Sequence, residues 1–392
     1  MHAAGDALWQ TRLYLRCEKC NSKYMKIGIL TYHRAENYGA LLQAYATMTY
    51  LRSLGYDVSF VDYWPTYHSD YFRLFPWERF RRGGLRAKLG LLVRFFIWYI
   101  PRRVRKHNLQ QFIRRRLGLP RKPAFTNSAG STPWYDCVVY GSDQIWRKQH
   151  LGGVEFDPWY FGSANVHAVR KVTYAASMGS IQTTPADDAF VREAMARFWR
   201  ISVRESDLQD YLRQLGTASV QVIDPVFLLS REQWQQLARP RKGTQRYIFF
   251  YNLLNTPEST RFADSLSRQT GLPVREVNKQ LDFRHLDARY TSTASVEEFL
   301  GLLDGAEYVV SNSFHGVAFS LIFQKQFFAA GMRERANRVC SLLTLAGIPE
   351  RYFGEATSAP ATLPAIDYNP VSEKLSGAIL HSQQFLKEAL NP

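Results

Sequence analysis

The chain has 392 residues, 46% of them hydrophobic, with 22 tyrosines, 25 phenylalanines and 9 tryptophans, which is core material for two domains and excludes a disordered chain. Its formal net charge is +16, yet 16 Lys and Arg against the single Glu78 between Arg73 and Lys122 account for +15 of it, so the body of the protein is nearly neutral. No helix-turn-helix, zinc-finger or RNP pattern accompanies that charge, which argues against a nucleic-acid partner, and no stretch reaches the roughly 18–20 apolar residues that span a bilayer.

Residues 1–24 have no signal-peptide hydrophobic core and read as a loosely ordered extension. Cys17, Cys20, Cys137 and Cys340 make no disulfide framework, which favours a reducing, cytoplasmic setting. The regular pattern starts at Met25–Leu30, a short apolar strand. A polar loop, Thr31–Gly39, leads into a helix over Ala40–Leu54 with Leu41, Leu42, Tyr45, Met48 and Leu51 on one face. Gly55 ends it, and Tyr56–Val61 is the next strand. A strand, a helix and a strand in so few residues form a βαβ unit with parallel strands.

The basic stretch interrupts this rhythm. Leu85–Ile100 is apolar with basic residues scattered through it, Pro101–Lys106 is strongly basic, and Asn108–Leu117 has helical character. Residues 85–106 have the makings of an interfacial element, with apolar side chains entering a bilayer surface and arginines meeting anionic headgroups. The alternative is a packed helical insertion with a solvated basic face.

The α/β rhythm resumes with strands expected at Tyr135–Tyr140, Arg170–Ala176, Arg200–Val203 and Val220–Ile223, and with helices near Ala186–Phe198 and from Leu208. Pro240–Gly243 reads as a linker. Beyond it the alternation repeats, with strands at Tyr247–Tyr251, Val274–Val277, Tyr308–Val310 and Gln326–Ala330. Helices are expected at Thr256–Thr270, at Ser295–Leu303 with a capping box of Ser295 and Glu298, at Val339–Leu345 and at Val371–Leu390. The expected architecture is α/β: two Rossmann-like domains in a GT-B-like arrangement with a cleft between them. The first domain covers 25–238 with the basic insertion at 73–122, the second covers 239–370, and a helix over 371–392 returns toward the first.

Six polar clusters share one position, the turn directly after a strand: Asn37-Tyr38-Gly39, Ser142-Asp143-Gln144, Ser177, Arg204-Glu205, Asp224 and Ser313-Phe314-His315-Gly316. In parallel sheets such turns lie at one edge, where ligands bind. The chain has no G-x-G-x-x-G after a strand, Walker loop, H-E-x-x-H, G-x-S-x-G or Asp-x-Asp pair, so neither a dinucleotide nor a metal is expected as cofactor. Arginine, histidine, asparagine and helix N-termini remain, a set suited to an anionic donor and one acid–base residue.

The chain resembles the polysaccharide pyruvyl transferase family in seven ordered motifs between Met25 and Phe353: GILTYHRAENYGALLQAYA, VVYGSDQIW, YAASMGS, ISVRESD, VIDPVFLL, VVSNSFHGVAFSL and NRVCSLLTLAGI. The resemblance implies transfer of a pyruvyl group from phosphoenolpyruvate to sugar hydroxyls of a polysaccharide or of a lipid-linked oligosaccharide. It also implies that Arg204 and the His315 turn bind the donor. Some relatives carry an arginine where this chain has Ser313, and Arg338 is the expected substitute. His315 is then the candidate general acid, and Asp143 the group that orients or deprotonates an acceptor hydroxyl. Ser313, Phe314 and Gly316 fall on the donor side, and Asn37, Tyr38, Gly39, Ser142 and Gln144 on the acceptor side. A nucleotide-sugar glycosyltransferase of the same architecture and a non-catalytic membrane-associated scaffold are the competing expectations.

Overall fold

The first expected βαβ unit forms as β1 (Lys26–Leu30), α1 (Tyr38–Ser53) and β2 (Asp57–Phe60), with Ile27 opposite Val58 in parallel register. The computed structural model describes residues 25–71, 77–127, 129–149, 155–240, 243–278, 287–291, 293–332, 336–362 and 364–391. The 1–24 extension with Cys17 and Cys20, and the start of the basic insertion at Arg73, lie outside them.

The insertion follows as α2 (Thr66–Tyr71), α3 (Trp77–Arg82) and α4 (Leu85–Arg115). After it β3 (Tyr135–Tyr140) pairs with the other side of β1, and β4 (Ala168–Thr173) adds beside β3, giving an all-parallel sheet of order β2-β1-β3-β4. Next come α5 (Pro185–Met195), β5 (Ser202–Val203), α6 (Ser206–Gln214), β6 (Val220–Gln221) and α7 (Arg231–Leu237). β5 and β6 pair in parallel, and single bridges from Val172 to Arg200 and from Ala176 to Val203 tie them to the β4 edge.

The second half contains β7 (Ile248–Asn252), α8 (Pro257–Thr270), β8 (Val274–Asn278), α9 (Val296–Asp304), β9 (Tyr308–Ser311), α10 (Phe314–Ile322), β10 (Gln326–Ala329), α11 (Ala336–Ala346) and α12 (Tyr368–Leu390). Its sheet, of order β10-β9-β7-β8, is also all parallel. Parallel strands need crossovers and are covered by helices on both faces, which is why β7 is buried at every residue. The fold class is therefore α/β, with two four-stranded parallel sheets and the short β5–β6 pair. The Ser295–Glu298 capping box starts α9 as expected, with Ser295 Oγ accepting from Glu298 N at 3.1 Å and Glu298 Oε2 accepting from Ser295 N at 2.9 Å.

Two elements differ from expectation. β4 stops at Thr173 rather than Ala176, because Ala175 turns into the left-handed region with φ 49°. The two expected pieces of the insertion are one 31-residue helix, α4, that runs through Pro101. A proline removes one main-chain hydrogen bond and strains the turn before it, and at this half-exposed position water can take the freed carbonyl.

The C-terminal half of α4 packs on the body through buried Leu109, Phe112 and Ile113. Arg105 Nη1 donates to Asn278 O at 2.7 Å and Asn108 Nδ2 to Thr293 O at 2.8 Å. Ahead of Arg105 the helix presents Leu85 (86% exposed), Leu89, Val93, Ile100 (69% exposed) and Val104 to solvent. At 3.6 residues per turn these five positions fall within roughly 100° of the helix circumference. Among the described residues no helix is long and apolar enough to cross a membrane.

The two halves share one buried cluster that includes Ile27, Leu41, Trp234, Phe299 and Leu386. Tyr38 stacks on Phe299 with centroids 4.6 Å apart, and its hydroxyl donates to Ala294 O at 2.8 Å. α12 returns to the first half, where Ser382 Oγ accepts from Ile223 N at 2.9 Å and Tyr56 Oη donates to Asn391 Oδ1 at 3.2 Å.

Candidate functional site

All six strand-end clusters meet in one network. β9 ends at Ser311, Ser313 takes the N-cap position, and α10 begins at Phe314, which lifts His315 into the second residue of the helix. Across from it Asn37 caps α1, its Oδ1 accepting from Gly39 N at 2.9 Å. The start of α1 comes so close that a Cβ on Gly39 would lie 2.1 Å from His315 Nδ1. Only glycine permits this approach of backbone to imidazole, so the first half supplies a wall against the second-half histidine.

On the other flank of His315 stands Asp224, whose Oδ2 lies 3.9 Å from Nε2, beyond hydrogen-bond reach. Asp224 Oδ2 accepts from Arg204 Nη1 at 2.6 Å and is 3.3 Å from Ser142 Oγ, while Oδ1 accepts from Val226 N at 3.1 Å. Arg204 Nε donates to Glu205 Oε1 at 2.9 Å, and its guanidinium lies 4.6 Å from the Phe314 ring centroid. Ser177 N donates to Asp143 O at 3.2 Å, and Ser142 Oγ donates to Ala175 O at 2.8 Å.

Arg204 thus shares its charge with two carboxylates inside the protein. The pair it makes with Glu205 is not at the surface. The Arg204 side chain is buried, and Asp207 points away to accept from Leu208 N. Burial by itself pulls the guanidinium pKa down, but Glu205 and Asp224 outweigh it and hold the group protonated. Burial likewise opposes ionisation of Asp224, and Arg204 overrides it and keeps the carboxyl below its usual range. For His315 burial wins: its pKa falls below the ordinary histidine value, although Asp224 and Asp143 pull the other way. His315 is therefore neutral at pH 7 in the free protein.

Four buried side-chain atoms here have no hydrogen-bond partner among the described residues: His315 Nε2, Arg204 Nη2, Glu205 Oε2 and Ser177 Oγ. Buried polar groups are normally satisfied, so these four atoms leave hydrogen-bonding capacity for water or a ligand. Next to it lies a cavity of about 360 Å³ lined by Arg204, Asp224, Phe314, Arg338, Lys374 and His381, among others. Lys374 and His381 were not anticipated from the sequence. They lie seven residues apart on one face of α12, a spacing that could have signalled a shared surface.

The other expected site residues take different places. Tyr38 was expected to line the acceptor side but is fully buried, its hydroxyl committed to Ala294. Gly316 packs beneath Ser311, since a Cβ there would lie 2.1 Å from Ser311 Oγ. Ser313 is buried and hydrogen-bonded to Tyr251. Ser142 is buried between Ala175 O and Asp224. Gln144 rests against Gly179. Asp143, half-exposed, holds Gln144 N at 2.8 Å with φ 69°.

A family model described as polysaccharide pyruvyl transferase matches residues 37–331. No curated protein matches the chain. Among solved structures it is similar to the glycosyltransferase SnogD from Streptomyces nogalater, at 14% identity and a TM-score of 0.39 over 93% of this chain and 100% of that one. It is also similar to UDP-GlcNAc 2-epimerase from Methanocaldococcus jannaschii, at 9% identity and a TM-score of 0.41 over 91% and 92% of the two chains. UDP-GlcNAc 2-epimerase from Neisseria meningitidis gives 9% identity and a TM-score of 0.39 over 93% of each.

Proposed function

From the premise that this chain belongs to the polysaccharide pyruvyl transferase family, we propose that it transfers the pyruvyl group of phosphoenolpyruvate to two hydroxyls of a saccharide. The acceptor is a cell-surface polysaccharide or its lipid-linked precursor, and the products are a cyclic pyruvate ketal and phosphate. The observation that carries this reading is the cavity beside the orphaned network, where Arg204, Arg338, Lys374 and His381 gather against the apolar Phe314. Phosphoenolpyruvate has a phosphate and a carboxylate, and arginine forks fit both groups.

The chemistry needs a proton on the methylene carbon of the donor. His315, protonated once an anionic donor is bound, gives it and leaves a cationic centre at the adjacent carbon. An acceptor hydroxyl attacks that centre while Asp143 takes its proton. Phosphate then leaves with the C–O electron pair, and a second hydroxyl closes the ketal, its proton passing to the released phosphate. Electrostatic stabilisation of the cation falls to Asp224 and Glu205, two carboxylates beside one guanidinium.

Phosphate release and a pyruvylated product from purified protein, phosphoenolpyruvate and a panel of galactoside, mannoside and N-acetylhexosamine acceptors test this. Turnover of a nucleotide sugar with inert phosphoenolpyruvate would overturn it.

On the same reading the enzyme works at the cytoplasmic face of an anionic membrane. The apolar stripe of Leu85, Leu89, Val93, Ile100 and Val104 lies on a helix that also carries exposed Arg86 and Arg103, the composition of an interfacial helix. Cosedimentation with anionic vesicles is expected, weakening as salt rises, and Leu85→Ser/Leu89→Ser/Ile100→Ser should release the protein. Equal recovery with and without vesicles would reduce the stripe to a packed insertion.

A further inference from the structure

A second cavity, of about 400 Å³, opens where the inserted helix meets the first half. Among the described residues four cations line it, Arg34, Lys106, Arg114 and Arg121, over an apolar floor that includes Trp64 and Ile113, with Glu36 as the one acid among them. Arg34 forks onto Asp62 through Nε at 2.5 Å and Nη2 at 2.7 Å, and Nη2 also donates to Pro120 O at 2.9 Å, which fixes the far wall. Lys106 pairs with Glu36 at 2.9 Å. Arg114 and Arg121 are exposed at the rim.

The cavity is linked to the candidate site through the chain: Glu36 in its lining lies three residues before Gly39, the residue packed against His315. Glu36 directly precedes Asn37, the cap of the helix that abuts His315. From α4, Arg105 reaches over the Tyr38 ring at 5.3 Å. One helix therefore builds this cavity with its C-terminal half and braces the wall of the reaction site. Excess cations in a recess with a partly apolar floor suit a phosphate carried on a sugar: the charge meets arginine forks and the ring faces meet the floor.

We propose that this cavity is an acceptor subsite for a saccharide phosphate, holding the phosphate on Arg114 and Arg121 while the sugar to be modified extends toward His315. The proposal rests on the pyruvyl transfer reading for the identity of the acceptor, but the anion subsite itself can be measured without turnover.

Isothermal titration of the full chain with N-acetylglucosamine 1-phosphate and with N-acetylglucosamine tests it. The phosphorylated sugar should bind at least about ten-fold more tightly, an advantage that shrinks with salt. Arg114→Ser/Arg121→Ser should erase the advantage, and Arg114→Lys/Arg121→Lys should restore part of it. Both residues are exposed, and circular dichroism of the variants is the check that they fold. Equal affinity for the two sugars, or an advantage that survives the double serine variant, would overturn the proposal. So would a serine variant that loses only anionic vesicle binding, since the cavity would then serve a lipid headgroup. Phosphoenolpyruvate titrated in parallel separates the two readings: if it fails to bind, the donor assignment falls while the subsite result stands.

Discussion

His315→Gln is expected to lower kcat for pyruvyl transfer by about 10²–10⁴-fold, the range lost when a general acid is removed, while phosphoenolpyruvate affinity changes little. Glutamine keeps a hydrogen-bonding group near the position of Nε2 but cannot deliver a proton. The imidazole is well placed for that delivery: Nε2 is buried without a partner and is 3.9 Å from Asp224, close enough to feel its charge without being tied to it.

Burial holds the pKa of free His315 below its ordinary value of 6.5. The rate constant kcat/KM, which reports the free enzyme, should therefore fall as pH rises through a value below 6.5. A bound anionic donor favours the imidazolium, so the corresponding fall in kcat should occur at higher pH. The same shift has a sign in stability. Below pH 6.5 the unfolded chain binds the proton more readily than the folded one, so this residue makes stability decline as pH drops, and the decline should vanish in His315→Gln. A variant with unchanged kcat and a raised KM would reassign His315 to holding the donor.

Arg204→Ala should be the most destabilising substitution in the site, costing about 3–5 kcal/mol, because it leaves buried carboxylates without their cation. Glu205 and Asp224 are 2% and 1% exposed and both bond the same guanidinium. In the variant the folded-state pKa of Asp224 rises once Arg204 no longer holds it down, so the defect should be mild in acid and grow as pH increases through the raised value. Denaturant unfolding at pH 5 and pH 8 measures this. Adding Asp224→Asn to Arg204→Ala should recover part of the lost stability at pH 8. A pH-independent loss would mean that packing against Phe314, 4.6 Å away, matters more than charge. Activity should also collapse in Arg204→Ala, and the double variant separates the causes: restored folding without restored turnover leaves a direct role for Arg204 at the donor.

The division of labour between sequence and tertiary structure follows from the range of the forces involved. Strand and helix alternation is local, written in apolar runs such as YIFFY at Tyr247–Tyr251 and in caps such as Ser295 and Glu298. The sequence alone therefore determined an α/β chain of parallel strands with polar turns at their ends, and it singled out His315, Arg204 and Asp143 among those turns. Continuity of α4 through Pro101 was not legible, because a proline is a local stop signal that a partly exposed flank can override. Nor was the burial of Tyr38, whose partner Ala294 lies 256 residues away.

Charge pairing depended most on the fold. In the sequence Arg204 was a cation waiting for an anion. Only the packing of β5 and the Asp224 turn beside it showed that Asp224, twenty residues on, had already taken a share of that charge. The same packing brought Lys374 and His381 of the returning C-terminal helix to the cavity, because side chains far apart in sequence meet only when the chain has closed on itself.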